Sequence, residues 1–129
     1  MEHREFDLTE AEWSVMECLW DAGAITGREL AEKLQKKVGW SRSTSLTLLR
    51  RLVAKGAVAD EDCRGVKTYR PLVAREEAAL RETNHLLERA YRGSVSLLVS
   101  TLTRKQDLPQ EEIDELYAIL RELEEKRHD

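Results

Sequence analysis

The sequence predicts a mainly α-helical protein in which three helices and a two-stranded hairpin precede a second, wholly helical region. Three observations predict it. Two capping boxes stand close together, Thr9 with Glu12 and Thr26 with Glu29; in each, a threonine N-cap and a glutamate three residues later satisfy two orphan backbone donors. Between Ala57 and Pro71 the helical period gives way to short β-capable pieces around a polar turn. From there to the C-terminus leucines recur at three- and four-residue spacing.

Each element follows in order. In the first helix, Leu8 and Trp13 flank the capping box as a hydrophobic staple, and Trp13, Met16, Leu19 and Trp20 share one face. Gly23 ends it. In the second, Ile25 and Leu30 make the staple, and Leu30, Ala31 and Leu34 give the apolar face of a short helix running to about Lys37. The link between the two is brief, so they pack at an angle. A third helix is predicted in "GWSRSTSLTLLRRLVAKG", with Ser41 as N-cap, an end near Lys55 and Gly56 beyond it. Its expected inward stripe is Leu46, Leu49, Leu52 and Val53. Arg42, Ser43, Ser45, Thr47, Arg50 and Arg51 are expected wholly or partly outward, with Thr44 at the N-terminal edge and Leu48 off the stripe.

The pieces "AVA" and "VKTYR" flank the polar turn "DEDCRG", where Gly65 supplies tight geometry; Pro71 closes the hairpin. A long helix is then expected from about Ala74 to Tyr91, interrupted by Gly93. "SVSLLVSTLT" reads as a short apolar helix. A last helix begins at Pro109, an acceptable first-turn residue, and runs to about Lys126. Its Ile113, Leu116, Leu120 and Leu123 form a heptad seam. These boundaries divide the chain into residues 1–72 and 73–129.

Apolar residues make up 41% and charged residues 36% of the 129 positions, which suits a small helical core under a heavily charged surface. There is no apolar run near the roughly 18 residues of a membrane span, and the acidic start "MEHREFDLTE" is unlike a secretory signal. Cys18 and Cys63 form no C-x-x-C pair, so a cytoplasmic location is expected. The net charge of −4 is unevenly spread. Residues 1–27 carry 1 basic and 7 acidic side chains, net −6; residues 28–70 carry 11 and 5, net +6; residues 71–129 carry 9 and 13, net −4. The basic middle third holds the third helix and the hairpin.

Three helices followed by a hairpin is the order of a winged helix-turn-helix, in which the third helix enters the major groove and the wing lies along the backbone. The residues suit that task. A helix N-terminus offers partial positive charge and N–H groups to phosphate. Short hydroxyl side chains (Ser41, Ser43, Thr44, Thr47) allow close approach, and Arg42, Arg50 and Arg51 can reach phosphates or guanine edges. Arg64 and Lys67 on the wing would meet the adjacent backbone. Plainer roles stay open: Ser41, Ser43 and Thr44 as capping residues, Arg50 and Arg51 as complements of the helix dipole.

The stretches "EWSVMECLW" and "GWSRSTSLTLLRRLVAKG", continued by "YRPLVAREEA" and "DLPQEEIDEL", make nearly the whole chain resemble the penicillinase repressor family of bacterial regulators. The resemblance implies a cytoplasmic homodimer that binds a dyad-symmetric double-stranded DNA operator and blocks transcription, as in antibiotic-resistance genes. By position it places Arg42, Ser43, Thr44, Thr47 and Arg50 on the recognition helix and Arg64 and Lys67 on the wing. It also implies control by a membrane-bound sensor protease, with the cleavage positions falling at Thr101 and Leu102; the relatives' Asn-Phe pair is absent there. The paired cysteines of the family's copper-sensing branch do not follow Pro109.

The C-terminal leucines outnumber what one small winged domain can cover. Leu86, Leu87, Leu98, Leu102, Ile113, Leu116, Leu120 and Leu123 are therefore expected to pair with a second copy, the alternative being that they fold back on their own domain. Two other functions share the architecture: a winged-helix regulator that senses a small-molecule effector directly, and a protein-binding winged module. An enzyme finds little support. His3, His85 and His128 are scattered, and the sequence holds no Gly-rich phosphate loop, metal-ligand spacing or nucleophile motif; no catalytic residue, metal or cofactor is expected. Cys63, on the hairpin turn, is a candidate redox thiol without an evident resolving cysteine.

Overall fold

A computed structural model describes residues 7–105 and 107–128. Its elements run α1 (Glu10–Ala22), β1 (Ile25–Thr26), α2 (Gly27–Val38), α3 (Arg42–Lys55), β2 (Val58–Cys63), β3 (Val66–Pro71), α4 (Arg75–Tyr91), α5 (Val95–Lys105) and α6 (Gln110–Arg127). The mainly α, winged helix-turn-helix architecture is as the sequence predicts. The chain divides into two compact units, Met1–Glu82 and Thr83–Asp129, with the boundary inside the α4 sequence.

The helix starts are set locally. Thr9 Oγ1 accepts from the Glu12 N–H (3.1 Å) while Glu12 Oε1 accepts from the Thr9 N–H (2.9 Å). Thr26 and Glu29 repeat the exchange at 3.2 and 3.3 Å, and Ser41 Oγ accepts from the Thr44 N–H at 3.2 Å. Each such cap is worth about 1 kcal/mol. Gly39 (φ 76°) and Gly56 (φ 86°) close α2 and α3 in the left-handed conformation, which a side chain would oppose.

The first unit encloses its core between α1, α2 and α3. Val15, Met16 and Leu19 meet Leu30 and Leu34 of α2 and Leu49 and Leu52 of α3, all of them fully buried; each contributes about 1.5–3 kcal/mol by leaving water. Val73 and Ala78 bring the start of α4 into the same core. The expected α1 face turns slightly: Val15 and Cys18 lie inside, whereas Trp13 and Trp20 are half-buried at the edge. There the indoles make an edge-to-face pair with centroids 5.4 Å apart, and Trp20 Nε1 donates to the Val73 carbonyl at 2.9 Å. An indole carries a polar N–H that favours such a boundary. The Arg75 guanidinium lies 5.6 Å from the Trp20 ring centroid and pairs with Glu17.

The inward stripe of α3 differs from expectation. Ser45, Leu48, Leu49 and Leu52 are the buried positions; Leu46 and Val53 are only half-buried. Ser45, expected outward, is fully covered, and Leu48, expected off the stripe, is inside. The spacing 45–48–49–52 is itself a helical face; a serine at its first position disguised it.

The hairpin differs too. The acidic residues Asp60, Glu61 and Asp62 belong to β2 and not to the turn, which shrinks to Arg64 and Gly65 between the Cys63–Val66 pair. Both turn residues have positive φ, 54° and 82°, the requirement of a tight two-residue hairpin whose twist matches its strands. β1 pairs antiparallel with β3 (Ile25 with Tyr69, Thr26 with Thr68), giving the order β1-β3-β2; this third strand was not anticipated.

In the second unit, Pro109 is the N-cap of α6 and lies one position outside the helix. Among the expected pairing residues, Leu87, Leu98 and Ile113 are half-buried. Leu86, Leu102, Leu116, Leu120 and Leu123 are exposed, with Leu102, Leu120 and Leu123 more than half so.

Candidate nucleic-acid interface

From Gly39 to Gly56 the chain holds no carboxylate. With Ser45, Leu48, Leu49 and Leu52 facing inward, the outermost ridge of α3 becomes Ser43, Thr47, Arg50 and Ala54, all exposed. No ion pair among the described residues engages Arg42, Arg50 or Arg51, so their charge faces solvent unneutralised.

The helix is anchored at its far end. Lys55 Nζ donates to the Asp7 carbonyl at 2.7 Å and to Glu12 Oε1 at 2.6 Å. Burial pushes the Glu12 carboxyl up, but hydrogen bonds from Lys55 and Thr9 and the charge of Lys55 outweigh it and hold the group below the usual carboxylate range. The first turn of α1 is thereby tied to the last turn of α3.

The two flanks of the ridge differ. On one, Leu46 packs toward the start of α2, where a Cβ on Gly27 would stand 3.3 Å from Leu46 Cδ2 and Tyr69 Cε2. On the other, α3 and the first turn of α1 border an open cleft of about 310 Å³, lined by Trp40, Ser43, Thr44, Thr47 and Arg51 with Ala11 and Leu48. Ser41 Oγ donates to Thr44 Oγ1 (3.0 Å), and Thr47 Oγ1 donates to the Ser43 carbonyl (2.9 Å). Ser41, Arg42, Ser43, Thr44, Thr47, Arg50 and Arg51 thus all lie exposed on or beside one surface. Trp40, half-buried beside them, escaped sequence reasoning. Its position just before the N-cap places it at the foot of α3.

On the wing, Arg64 occupies the apex of the hairpin and is exposed. Lys67 sits opposite Asp62 and reaches Asp60 Oδ2 at 3.4 Å, so part of its charge is already answered. Asp60, Glu61 and Asp62 match Arg64, Lys67 and Arg70 in number, which leaves the apex as the most positive part of the wing.

Thr101 and Leu102 lie within helical α5; Thr101 Oγ1 donates to the Leu97 carbonyl at 2.9 Å, and Leu102 is 51% exposed. Cys18 is a buried free thiol, which burial pushes up; Cys63 is free and exposed at the end of β2. Among the described residues no three His, Cys, Asp or Glu side chains gather as metal ligands, and no helix is long and apolar enough to cross a membrane. His3 lies outside the described residues.

Known proteins resemble this arrangement along most of the chain. The methicillin resistance regulatory protein MecI of Staphylococcus aureus (strain N315) is 29% identical over 120 residues, covering 93% of this chain and 98% of that protein. The penicillinase repressor of Bacillus licheniformis is 32% identical over 115 residues, 89% of this chain and 90% of that protein. The solution structure of monomeric Bacillus licheniformis BlaI in complex with the blaP half-operator superposes with a TM-score of 0.52 at 30% identity, over 60% of this chain and 93% of that one. The DNA-binding domain of the repressor BlaI gives 0.51 at 31% identity, over 54% and 85%. With the penicillinase repressor profile matching residues 8–122, the chain belongs to the penicillinase repressor family.

Proposed function

We propose that this protein is a cytoplasmic, homodimeric transcriptional repressor that binds a dyad DNA operator through α3 and the wing. One observation carries the proposal: a carboxylate-free helix presents Ser43, Thr47 and Arg50 along an exposed ridge, with no ion pair consuming its arginines. A ridge of short hydroxyls and one long cation fits a major groove, where arginine reads guanine edges and hydroxyls accept or donate to either partner. Ser41, Arg42, Thr44 and Arg51 surround the ridge, and Arg64 with Lys67 extends it along the wing. BlaI, on a similar fold, is in complex with a half-operator, which supports operator DNA as the partner.

Residues 1–72 serve DNA and residues 73–129 serve pairing. A second copy covers Leu86, Leu102, Leu116, Leu120 and Leu123, which a single chain leaves in water, and Leu87, Leu98 and Ile113 complete the apolar surface. Such a pair presents two α3 helices to two half-sites. Repression ends through a membrane-bound sensor protease pathway acting at Thr101 and Leu102, both of which lie within α5.

Duplexes selected by the wild-type protein from a random pool test the proposal. A palindromic consensus should emerge, and affinity should fall by about 10³-fold between 50 and 200 mM salt as counterions are released. Absence of any enriched sequence, with binding indifferent to salt, would overturn it.

A further inference from the structure

We propose that Glu17 and Arg75 clamp the start of α4 to α1 and thereby set the half-site spacing that the dimer accepts, as positioning residues that touch no DNA. The inference rests on the operator-binding and pairing proposals and concerns what fixes the separation of two α3 helices. α4 begins on the core of the first unit, where Val73 and Ala78 are buried. It runs unbroken from Arg75 to Tyr91, past the boundary at Glu82. Its 17 residues contain no glycine or proline, so nothing in them invites a kink. The helix is about 25 Å long. A turn of about 10° at its first residues would move its far end by about 4 Å. One base pair adds about 3.4 Å along the duplex, so a small change of angle at Arg75 amounts to a change of spacing.

The start of α4 is held from α1 and not by a cap of its own. Ala74, the residue before it, has no side-chain acceptor, unlike Thr9, Thr26 and Ser41 before α1, α2 and α3. Trp13, Glu17 and Trp20, spaced by four and three along one face of α1, take over. Trp20 Nε1 donates to the Val73 carbonyl at 2.9 Å. The Arg75 guanidinium lies 5.6 Å from the Trp20 ring centroid, within reach of a cation–π contact, and pairs with Glu17 Oε1. The same oxygen accepts from Trp13 Nε1 at 3.2 Å, and Trp13 packs edge-to-face on Trp20. The hydrogen bond from Arg75 outweighs burial and holds the Glu17 carboxyl below the usual carboxylate range, so the pair is charged at neutral pH. One contact fixes the main chain at residue 73 and the other the side chain at residue 75; a single point would leave α4 free to swivel. The Arg75 side chain is 52% exposed and that of Glu17 24%, so their pair adds little to folding. Burial of Val73 and Ala78 keeps α4 on the core without it, and the pair fixes the angle.

Arg75→Gln, Glu17→Ala and the double variant test this on the selected operator, on operators whose centre is lengthened or shortened by one base pair, and on a duplex with a single half-site. The wild type should prefer the selected spacing. In Arg75→Gln that preference should shrink by about threefold to fivefold, the scale of one exposed ion pair, while the single half-site binds as before. Glu17→Ala should do the same, and the double variant no more than either, because each breaks the same pair. The urea midpoint of the first unit should stay within about 0.5 M of the wild type's, which separates positioning from a merely structural role. A wild type indifferent to spacing, an unchanged preference in Arg75→Gln, losses that add in the double variant, or an equal loss on the single half-site would each overturn the inference. If the wild type selects no operator, the failure lies with the repressor proposal instead.

Discussion

Replacing Lys55 by alanine should expose how much the first unit relies on one nearly hidden ion pair. The Glu12 side chain is fully covered, that of Lys55 is 29% exposed, and their atoms approach to 2.6 Å. Removing one member of a buried pair typically costs about 3–5 kcal/mol, because the other charge is left without compensation. Water reaching the ammonium reduces that to about 2–3 kcal/mol here, and loss of the Asp7 hydrogen bond adds about 1 kcal/mol. A total of about 3–4 kcal/mol is a large share of a small domain's stability. All three tryptophans (Trp13, Trp20 and Trp40) lie in the first unit, so urea unfolding followed by tryptophan fluorescence reports on it directly. With m of about 1 kcal/mol/M the midpoint should fall by about 3–4 M. The pH dependence supplies a second signature. In the wild type the Glu12 pKa is depressed, so its contribution is fully present above the ordinary carboxylate pKa and is lost as pH falls through the folded value. In Lys55→Ala, desolvation faces only the Thr9 hydrogen bonds. The variant's deficit should shrink as the pH is lowered from 7 and the stranded carboxylate is protonated. Glu12→Gln with Lys55→Met should recover most of the loss. A Lys55→Ala deficit below about 1 kcal/mol at pH 7, or one that grows on acidification, would refute the reasoning.

Ser45 Oγ is buried without a hydrogen-bond partner among the described residues, so Ser45→Ala should leave stability unchanged or raise it by about 1 kcal/mol; a fall of that size in thermal melting would mean the hydroxyl is satisfied. Arg50→Ala should weaken operator binding by about tenfold to a hundredfold and relax preference at one base position. Undiminished affinity in a gel-shift titration would remove it from the base-reading ridge. Leu116→Asp should convert a dimer to a monomer in sedimentation velocity at micromolar concentration, because a desolvated carboxylate costs several kcal/mol. A persistent dimer would place the pairing surface elsewhere.

The sequence by itself determined the features that depend on a few neighbouring residues. Thr9 with Glu12, Thr26 with Glu29, and Ser41 fixed three helix starts; Gly23 and Gly56 fixed the ends of the first and third helices; Gly65 placed the hairpin turn. Each works through hydrogen bonds or backbone angles within one turn, so its outcome is written in the local residues. The exposed side chains of α3 were legible for the same reason, apart from the phase of the stripe. Tertiary packing alone decided that Ser45 is covered, because burial of a small polar side chain depends on how closely another helix approaches. It also decided that Glu12, read as a cap, is at once the buried partner of Lys55, some forty residues away. β1 exists only because β3 lies beside Ile25 and Thr26, and two residues carry no strand signal of their own. The Trp40–Arg51 cleft has the same origin: one wall comes from Ala11 on another helix, and no local pattern records which elements a chain will bring together.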